Sequence, residues 1–242
     1  MYKLCRKLHN WLGLILALQI LLWFLSGLIM SVLPIEEVRG EHLKKHISAN
    51  WSDAAVSPAD VLSDYPGETP LRLSSRLLLT NGLLTAEPVY SVRSNDRNVN
   101  VSAITGETLA PLTATTVSAL AMAQYTGPGT AVSVQLLDAL PQEVHALTPP
   151  LWQVQMDDAQ NSRFYLDPDT GMVTRVRTDN WRLFDFFWML HIMDYDERSD
   201  INNPLLISFS ASALLFTLTG LVLLWQRYRP RRRRFTRRAR HA

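Results

Sequence analysis

The sequence predicts an α+β protein with a membrane anchor: two transmembrane helices flanking an extracytoplasmic tandem α-β-β-β domain, plus an interfacial amphipathic helix. Three observations carry this prediction. Two long runs without a charge stand toward the two ends of the chain. The stretch between them passes twice through the same order of helix and strands. A third apolar segment, NWRLFDFFWMLHIMDYDER (180–198), is too short and too acidic to span a bilayer.

Residues 1–10 hold Lys3, Arg6 and Lys7 and no acid. Residues 11–33, WLGLILALQILLWFLSGLIMSVL, form the first transmembrane helix, since at ~1.5 Å per residue they reach ~35 Å, enough for a ~30 Å hydrocarbon core. A cleaved leader is the rival reading. The run exceeds the ~7–15 apolar residues of such a segment, and LIMSVLPIEE offers no small-x-small cleavage site. Residues 204–226 supply the second helix, and residues 227–242 form a tail with nine arginines and no acid. The two ends thus take half of the 24 Lys+Arg and leave all 22 Asp+Glu to the middle. By the positive-inside rule both termini are cytoplasmic and residues 34–203 lie outside, in the periplasm of a bacterium whose inner membrane holds the chain. Beside a span, the arginine tail reads as topology setting and contact with anionic lipid rather than nucleic-acid binding. The one cysteine, Cys5, has no partner for a disulfide or a metal pair.

Residues 34–56 are a connector. Repeat 1 (57–112) opens with SPADVLSDYP, a short helix capped by Ser57 with Pro58 just inside, followed by the extended stretches LRLSSRLLL, PVYSVRSND and VNVSAITGETL. Repeat 2 (113–178) opens with the helix TATTVSALAMAQ, followed by AVSVQLLDAL, PLWQVQMDD and RFYLDPDTGMVTRV. Pro88-Val-Tyr-Ser-Val matches Pro150-Leu-Trp-Gln-Val, and Ile104-Thr-Gly-Glu matches Asp169-Thr-Gly-Met. Leu151, Gln153 and Gln155 alternate with Trp152, Val154 and Met156, the pattern of a half-buried strand. Each repeat reads as one helix on a three-stranded sheet, and at ~60 residues its core is small enough that the two should pack together. Residues 180–197 form the amphipathic helix, with Trp181, Phe184, Trp188, His191 and Tyr195 along one line.

These motifs resemble a known family. The helix, the strand bearing Tyr90 or Trp152, and the closing D-x-x-T-G-x-V are similar to PepSY domains in tandem. LHNWLGL opening the first span, WRLFDFFWMLHIMDY before the second, and LTGLVLLW closing it resemble PepSY-associated transmembrane proteins. The resemblance implies a place in electron transfer across or outside the inner membrane. Larger members include reductases for siderophore-bound iron with b-type haem between their helices, and others sit beside flavin-carrying redox partners. It also implies a non-catalytic alternative, because isolated PepSY domains occur in protease propeptides and exposed strand edges can bind an extended peptide.

On that footing His191 and His9 are candidate haem ligands. Trp188 and Phe184 would pack against the porphyrin, and Asp185 or Asp194 would accept the other ring proton of His191. The plain alternative is that both histidines are interfacial residues bonded to a neighbouring helix or to lipid headgroups. They sit at opposite membrane faces, so one haem cannot take both. Bis-histidine ligation would need a homodimer or a redox partner protein. Small residues at Ser26 and Gly27, at Ser208, Ser210 and Ser212, and near Gly220 would allow close helix approach in such a dimer.

Weaker candidates remain. His42 and His46 have the i, i+4 spacing of a metal pair on one helical face, without an evident third ligand. Asp157, Asp158, Asp167 and Asp169 lack the order of a calcium loop and read as turn residues. No nucleophile elbow, metalloprotease motif, phosphate loop or flavin-attachment sequence occurs, so a hydrolase or a nicotinamide enzyme is not expected.

Overall fold

The computed structural model describes residues 2–65, 71–93 and 98–229. The arginine-rich residues from 230 onward lie outside the described residues, as do the last residues of SPADVLSDYP and PVYSVRSND. The chain divides into two compact units, Met1–Ser31 with Phe186–Ala242, and Val32–Asp185.

Helix α1 (Tyr2–Val32) runs unbroken for 31 residues, rich in Leu, Ile and Ala, and stops just short of Pro34. A single turn, α2 (Ile35–Val38), follows, and Gly40 leaves it at φ 66°. A Cβ there would come within 2.7 Å of Val176, so the position requires glycine for both conformation and space. After a 3-10 turn at Glu41–Leu43 the chain is extended, with Lys44 at φ −130° and bridged to Tyr125. His42 and His46 therefore share no helical face, and the spacing that suggested a chelating pair has no helix to act on.

Helix α3 (Pro58–Asp64) starts where expected: the Ser57 hydroxyl accepts the Ala59 N–H, and Pro58 occupies the first turn. The first sheet is antiparallel in chain order: β1 (Leu71–Thr80), β2 (Leu83–Arg93), β3 (Asn98–Ser102) and β4 (Thr108–Leu109). Helix α4 (Ala114–Gln124) is capped by Thr113, and a second antiparallel sheet follows: β5 (Ala131–Leu137), β6 (Leu151–Met156), β7 (Arg163–Leu166) and β8 (Val173–Arg177).

Each sheet thus has four strands where the sequence suggested three, and the T-G turn explains both. The Asp167 carboxylate accepts the N–H groups of Asp169 and Thr170. Gly171, at φ 71°, donates to the Asp167 carbonyl. This folds RFYLDPDTGMVTRV back on itself into the β7–β8 hairpin. In the first repeat the Ser102 hydroxyl accepts from Ile104 and Thr105. Gly106, at φ 78°, donates to the Ser102 carbonyl and returns the chain as β4. A short oxygen side chain two and three residues before the donors, with glycine supplying positive φ, gives the same reversal twice.

Two apolar clusters fill this unit. Val61, Tyr90, Val92, Val99, Val101 and Ala103 lie between α3 and the first sheet. The larger cluster surrounds Leu120, Val154, Phe164 and Val176, and it also takes Leu77 from β1, with Leu84 and Ala86 of β2 against it. The repeats accordingly meet through α4, and Leu77 N–H donates to Thr170 O at 2.9 Å. Burial along β6 does not follow simple alternation. Leu151, Val154 and Met156 are buried, while Trp152 is half-buried beside Pro111, Pro150 and Pro168.

Helix α5 (Asp179–Ile192) is shorter than the 180–197 expected, because residues 193–203 form an irregular turn with positive φ at Met193 and Arg198. Helix α6 (Pro204–Tyr228) is capped by Asn203, whose side chain accepts the Leu206 N–H. Helices α1 and α6 are both long and apolar enough to cross a membrane, with mean hydropathy of 2.4 and 2.0. Little of either is buried, and Leu14, Leu18, Phe24 and Leu218 are exposed. The core helix of a soluble protein would bury such side chains, whereas a membrane helix turns them to lipid.

Candidate functional site

In the helical unit two histidines each hydrogen-bond across to another helix. At the first, the His9 ring stacks on Phe216 with centroids 4.2 Å apart and planes 4° from parallel. Glycines make the room: a Cβ at Gly220 would stand 3.1 Å from His9 Cε1, and one at Gly13 would stand 3.0 Å from the Phe216 ring. His9 Nδ1 lies 3.1 Å from the Phe216 carbonyl and 3.1 Å from Thr219 Oγ1. The carbonyl can only accept, and Thr219 spends its own proton on that carbonyl at 2.7 Å. Nδ1 therefore carries the proton, and in the neutral ring Nε2 is left with a lone pair.

The second histidine repeats this logic with different partners. His191 Nδ1 is 2.9 Å from Ser26 Oγ, and the Ser26 hydroxyl lies 2.7 Å and 3.1 Å from the carbonyls of Leu22 and Trp23. Serine has one proton and both carbonyls can only accept, so Ser26 donates to its own helix and accepts from His191 Nδ1–H. Nε2 again keeps its lone pair. A Cβ at Gly27 would stand 3.7 Å from His191 Cε1, in ordinary contact with the same ring.

The end of α5 is fixed as well. A helix leaves its last carbonyls without partners. Here Gln19 donates to Leu190 O, Trp23 Nε1 to His191 O at 2.9 Å and Asn203 Nδ2 to Ile192 O at 3.0 Å. Gln19, Trp23 and Ser26 recur at i, i+4 and i+7 and so form one stripe on α1. Ser26 lies 17 residues along α1 from His9, about 25 Å at helical rise, which keeps the two imidazoles apart.

The remaining residues singled out in the sequence fall elsewhere. Ser26 stands on His191 Nδ1 in the place proposed for Asp185 or Asp194. Asp194 instead accepts the backbone N–H groups of Asp200, Ser199 and Asp196. These bonds, that of Asp200 first, hold its carboxyl below the usual range. Trp188 donates from its indole to Arg198 O at 3.1 Å, closing the same turn. Phe184 and Asp185 are half-buried in the other unit, where Asp185 acts electrostatically on Arg177. Ser26 and Gly220, read as surfaces for a second copy, are taken up within the chain by the histidine rings. Phe216 and Thr219 were not singled out, although a threonine and a glycine side by side in an apolar span signal a polar contact.

A cavity of about 1140 Å³ opens beside His9, lined by Arg6, His9, Gly220, Leu223, Leu224, Gln226, Arg227 and Arg229. The sheet unit has its own charged cluster. Glu143 accepts from Tyr165 Oη at 2.6 Å, Arg182 Nε at 3.1 Å and Arg163 Nη1 at 3.2 Å. Burial acts most strongly and raises its pKa. The Tyr165 hydroxyl and the two arginines more than offset this and hold the carboxyl below its ordinary 4.5. Burial and the neighbouring Arg175 push the Arg177 guanidinium down to about 10, and it lies 4.1 Å over the Trp181 ring. Among the aspartates, Asp158 accepts from Tyr125, Gln160 and Ser162, which makes it a turn residue.

Two exposed apolar helices joined to a mixed domain with two antiparallel sheets define a membrane protein of the α+β class with two candidate membrane spans. The model of the PepSY-associated TM region family matches residues 6–242, and the chain belongs to that family. No curated protein and no solved structure gives a match.

Proposed function

We propose that this protein is a membrane-bound electron-transfer module that holds b-type haem through His9 and His191, with both termini in the cytoplasm and the sheet domain in the periplasm. The observation that carries this reading is the shared state of the two rings. Each imidazole is held by Nδ1–H on a helix oxygen and offers Nε2, as metal-ligating histidines do. Haem would supply one-electron chemistry. The chain would supply ligand orientation, through Phe216 stacking and the Ser26 and Thr219 bonds, and an apolar surround that sets the potential. Because His9 and Ser26, the partner of His191, lie about 25 Å apart along α1, each ring would need its own haem, and a second ligand would come from another copy or a redox partner.

The test is the spectrum of the purified membrane protein. A b-type Soret and α-band should appear, weaken in His9→Ala or His191→Ala, and vanish in the double variant. Protein that never takes up haem under iron-replete expression with candidate partners would end this reading. A peptide-binding module would then be favoured by one observation: β5 is an edge strand with Val132 and Leu136 exposed, beside a hollow of about 280 Å³ lined by Pro111, Pro150, Pro168 and Trp152. Backbone protection of β5 on adding extended peptides would support it.

A further inference from the structure

The cavity beside His9 has a graded lining. On α6, Gly220, Leu223, Leu224 and Arg227 recur at i, i+3, i+4 and i+7, which places them on one face. On α1, Arg6 and His9 are three residues apart and share a face. From Gly220 to Arg227 the axial distance is about 10 Å. Along it the lining passes from His9, whose Nε2 keeps a lone pair, over two leucines, to Arg6, Arg227 and Arg229. Arg229 also rests over Trp225, 5.1 Å from its centroid.

We infer that this cavity binds an apolar metal-bearing acid, with the metal at His9, the apolar body over Leu223 and Leu224, and its carboxylates at Arg6 and Arg227. The inference rests on the haem reading and names what recognises the group: the propionates are held at the end of the helix pair that carries residue 6 and residues 227–229. An anionic phospholipid shares the acidic headgroup and apolar body. It would satisfy the arginines and leave His9 Nε2 without a partner, so the porphyrin acid accounts for more of the lining. Guanidinium–carboxylate bonds are charge-assisted and two-pronged, which suits arginine over lysine here.

The experiment titrates the full-length protein in detergent with haem and with haem dimethyl ester, in which both carboxylates are masked, and reads the Soret band. Wild type should bind haem roughly tenfold or more tightly than the diester, the scale expected for one or two charge-assisted bonds. Arg6→Gln with Arg227→Gln should close that gap while the diester affinity stays unchanged. Equal affinity of wild type for both ligands would overturn the inference and leave the haem reading standing. Absence of any Soret band with either ligand would remove both. Native mass spectrometry of the same samples separates the sources. Phosphatidylglycerol retained by wild type and lost from the double variant, with haem binding unchanged, would assign the cavity to lipid and overturn the inference.

Discussion

The acidic groups of the sheet unit and the histidines of the helical unit use their polar atoms in opposite ways. In the sheet unit, Glu143 has both carboxylate oxygens occupied, by Tyr165 and Arg163 on one and Arg182 on the other. Asp158 and Asp167 are likewise spent on turn N–H groups. In the helical unit each histidine uses one ring nitrogen for the fold and keeps the other. A saturated polar group fixes a structure, and a half-used one in an apolar surround is available for chemistry. The comparison singles out the helical unit as the one whose two histidines each keep an unspent ring nitrogen.

The largest effects expected on folding lie in the sheet unit. Phe164 is fully buried, and Phe164→Ala should destabilise the domain by about 3–5 kcal/mol, seen as protease sensitivity in both repeats because α4 touches both sheets. Cleavage confined to residues 140–176 would break the claim that the repeats are coupled. Glu143→Gln comes next. It removes the charge that three guanidinium or hydroxyl donors converge on, and should cost about 2 kcal/mol. Its pH dependence follows from the lowered pKa. The contribution is complete above the unfolded value near 4.5 and is lost as pH falls through the lower folded value. Wild type should therefore lose stability on acidification below about 4.5 more steeply than Glu143→Gln, in paired thermal melts.

Trp152→Ala should cost less than Phe164→Ala, about 2 kcal/mol, since the ring is only half-buried against three prolines. The smallest effect on folding and the most informative one belong to Ser26→Ala and Thr219→Val. Each removes the hydrogen bond to its ring, worth about 1 kcal/mol. Ser26→Ala should release the Nδ1–H tautomer of His191, whereas in Thr219→Val the Phe216 carbonyl still accepts from His9 Nδ1–H and keeps that tautomer. Nitrogen NMR of labelled histidines should show Nδ1–H at both rings in wild type, a mixture at His191 in Ser26→Ala, and Nδ1–H retained at His9 in Thr219→Val. If both rings carry the proton on Nε2 in wild type, the contrast between saturated and half-used groups collapses.

Much of the fold was legible because it rests on local pattern. Ser57 with Pro58 marked the start of α3, two uncharged runs gave α1 and α6, and the paired T-G motifs gave the repeat. The fourth strand of each sheet was missed because the turn was read as closing a strand, whereas Asp167 and Ser102 reverse the chain. The C-terminal end of α5 falls short of the expected 197 because helical spacing continues through Tyr195 while the backbone does not. At the site, the histidines themselves stood out, being rare polar residues beside apolar runs. Their partners did not. Ser26 meets His191 across 165 positions and Thr219 meets His9 across 210, and nothing in local spacing encodes such pairs.

The side chains that close the end of α5 also set a schedule for making the protein. Gln19 and its acceptor at Leu190 are 171 residues apart in the chain. At a synthesis rate of about 5–20 residues per second, roughly ten to thirty seconds separate their emergence. During that interval Gln19 and Trp23 have no partner at the end of α5, while Ser26 is bonded only to the carbonyls of Leu22 and Trp23 in its own helix. These contacts can close only when α5 arrives, and α6 is joined to them directly, since Asn203 both caps α6 and binds Ile192. Closure of the helical unit thus has to follow translation of the sheet domain between its halves.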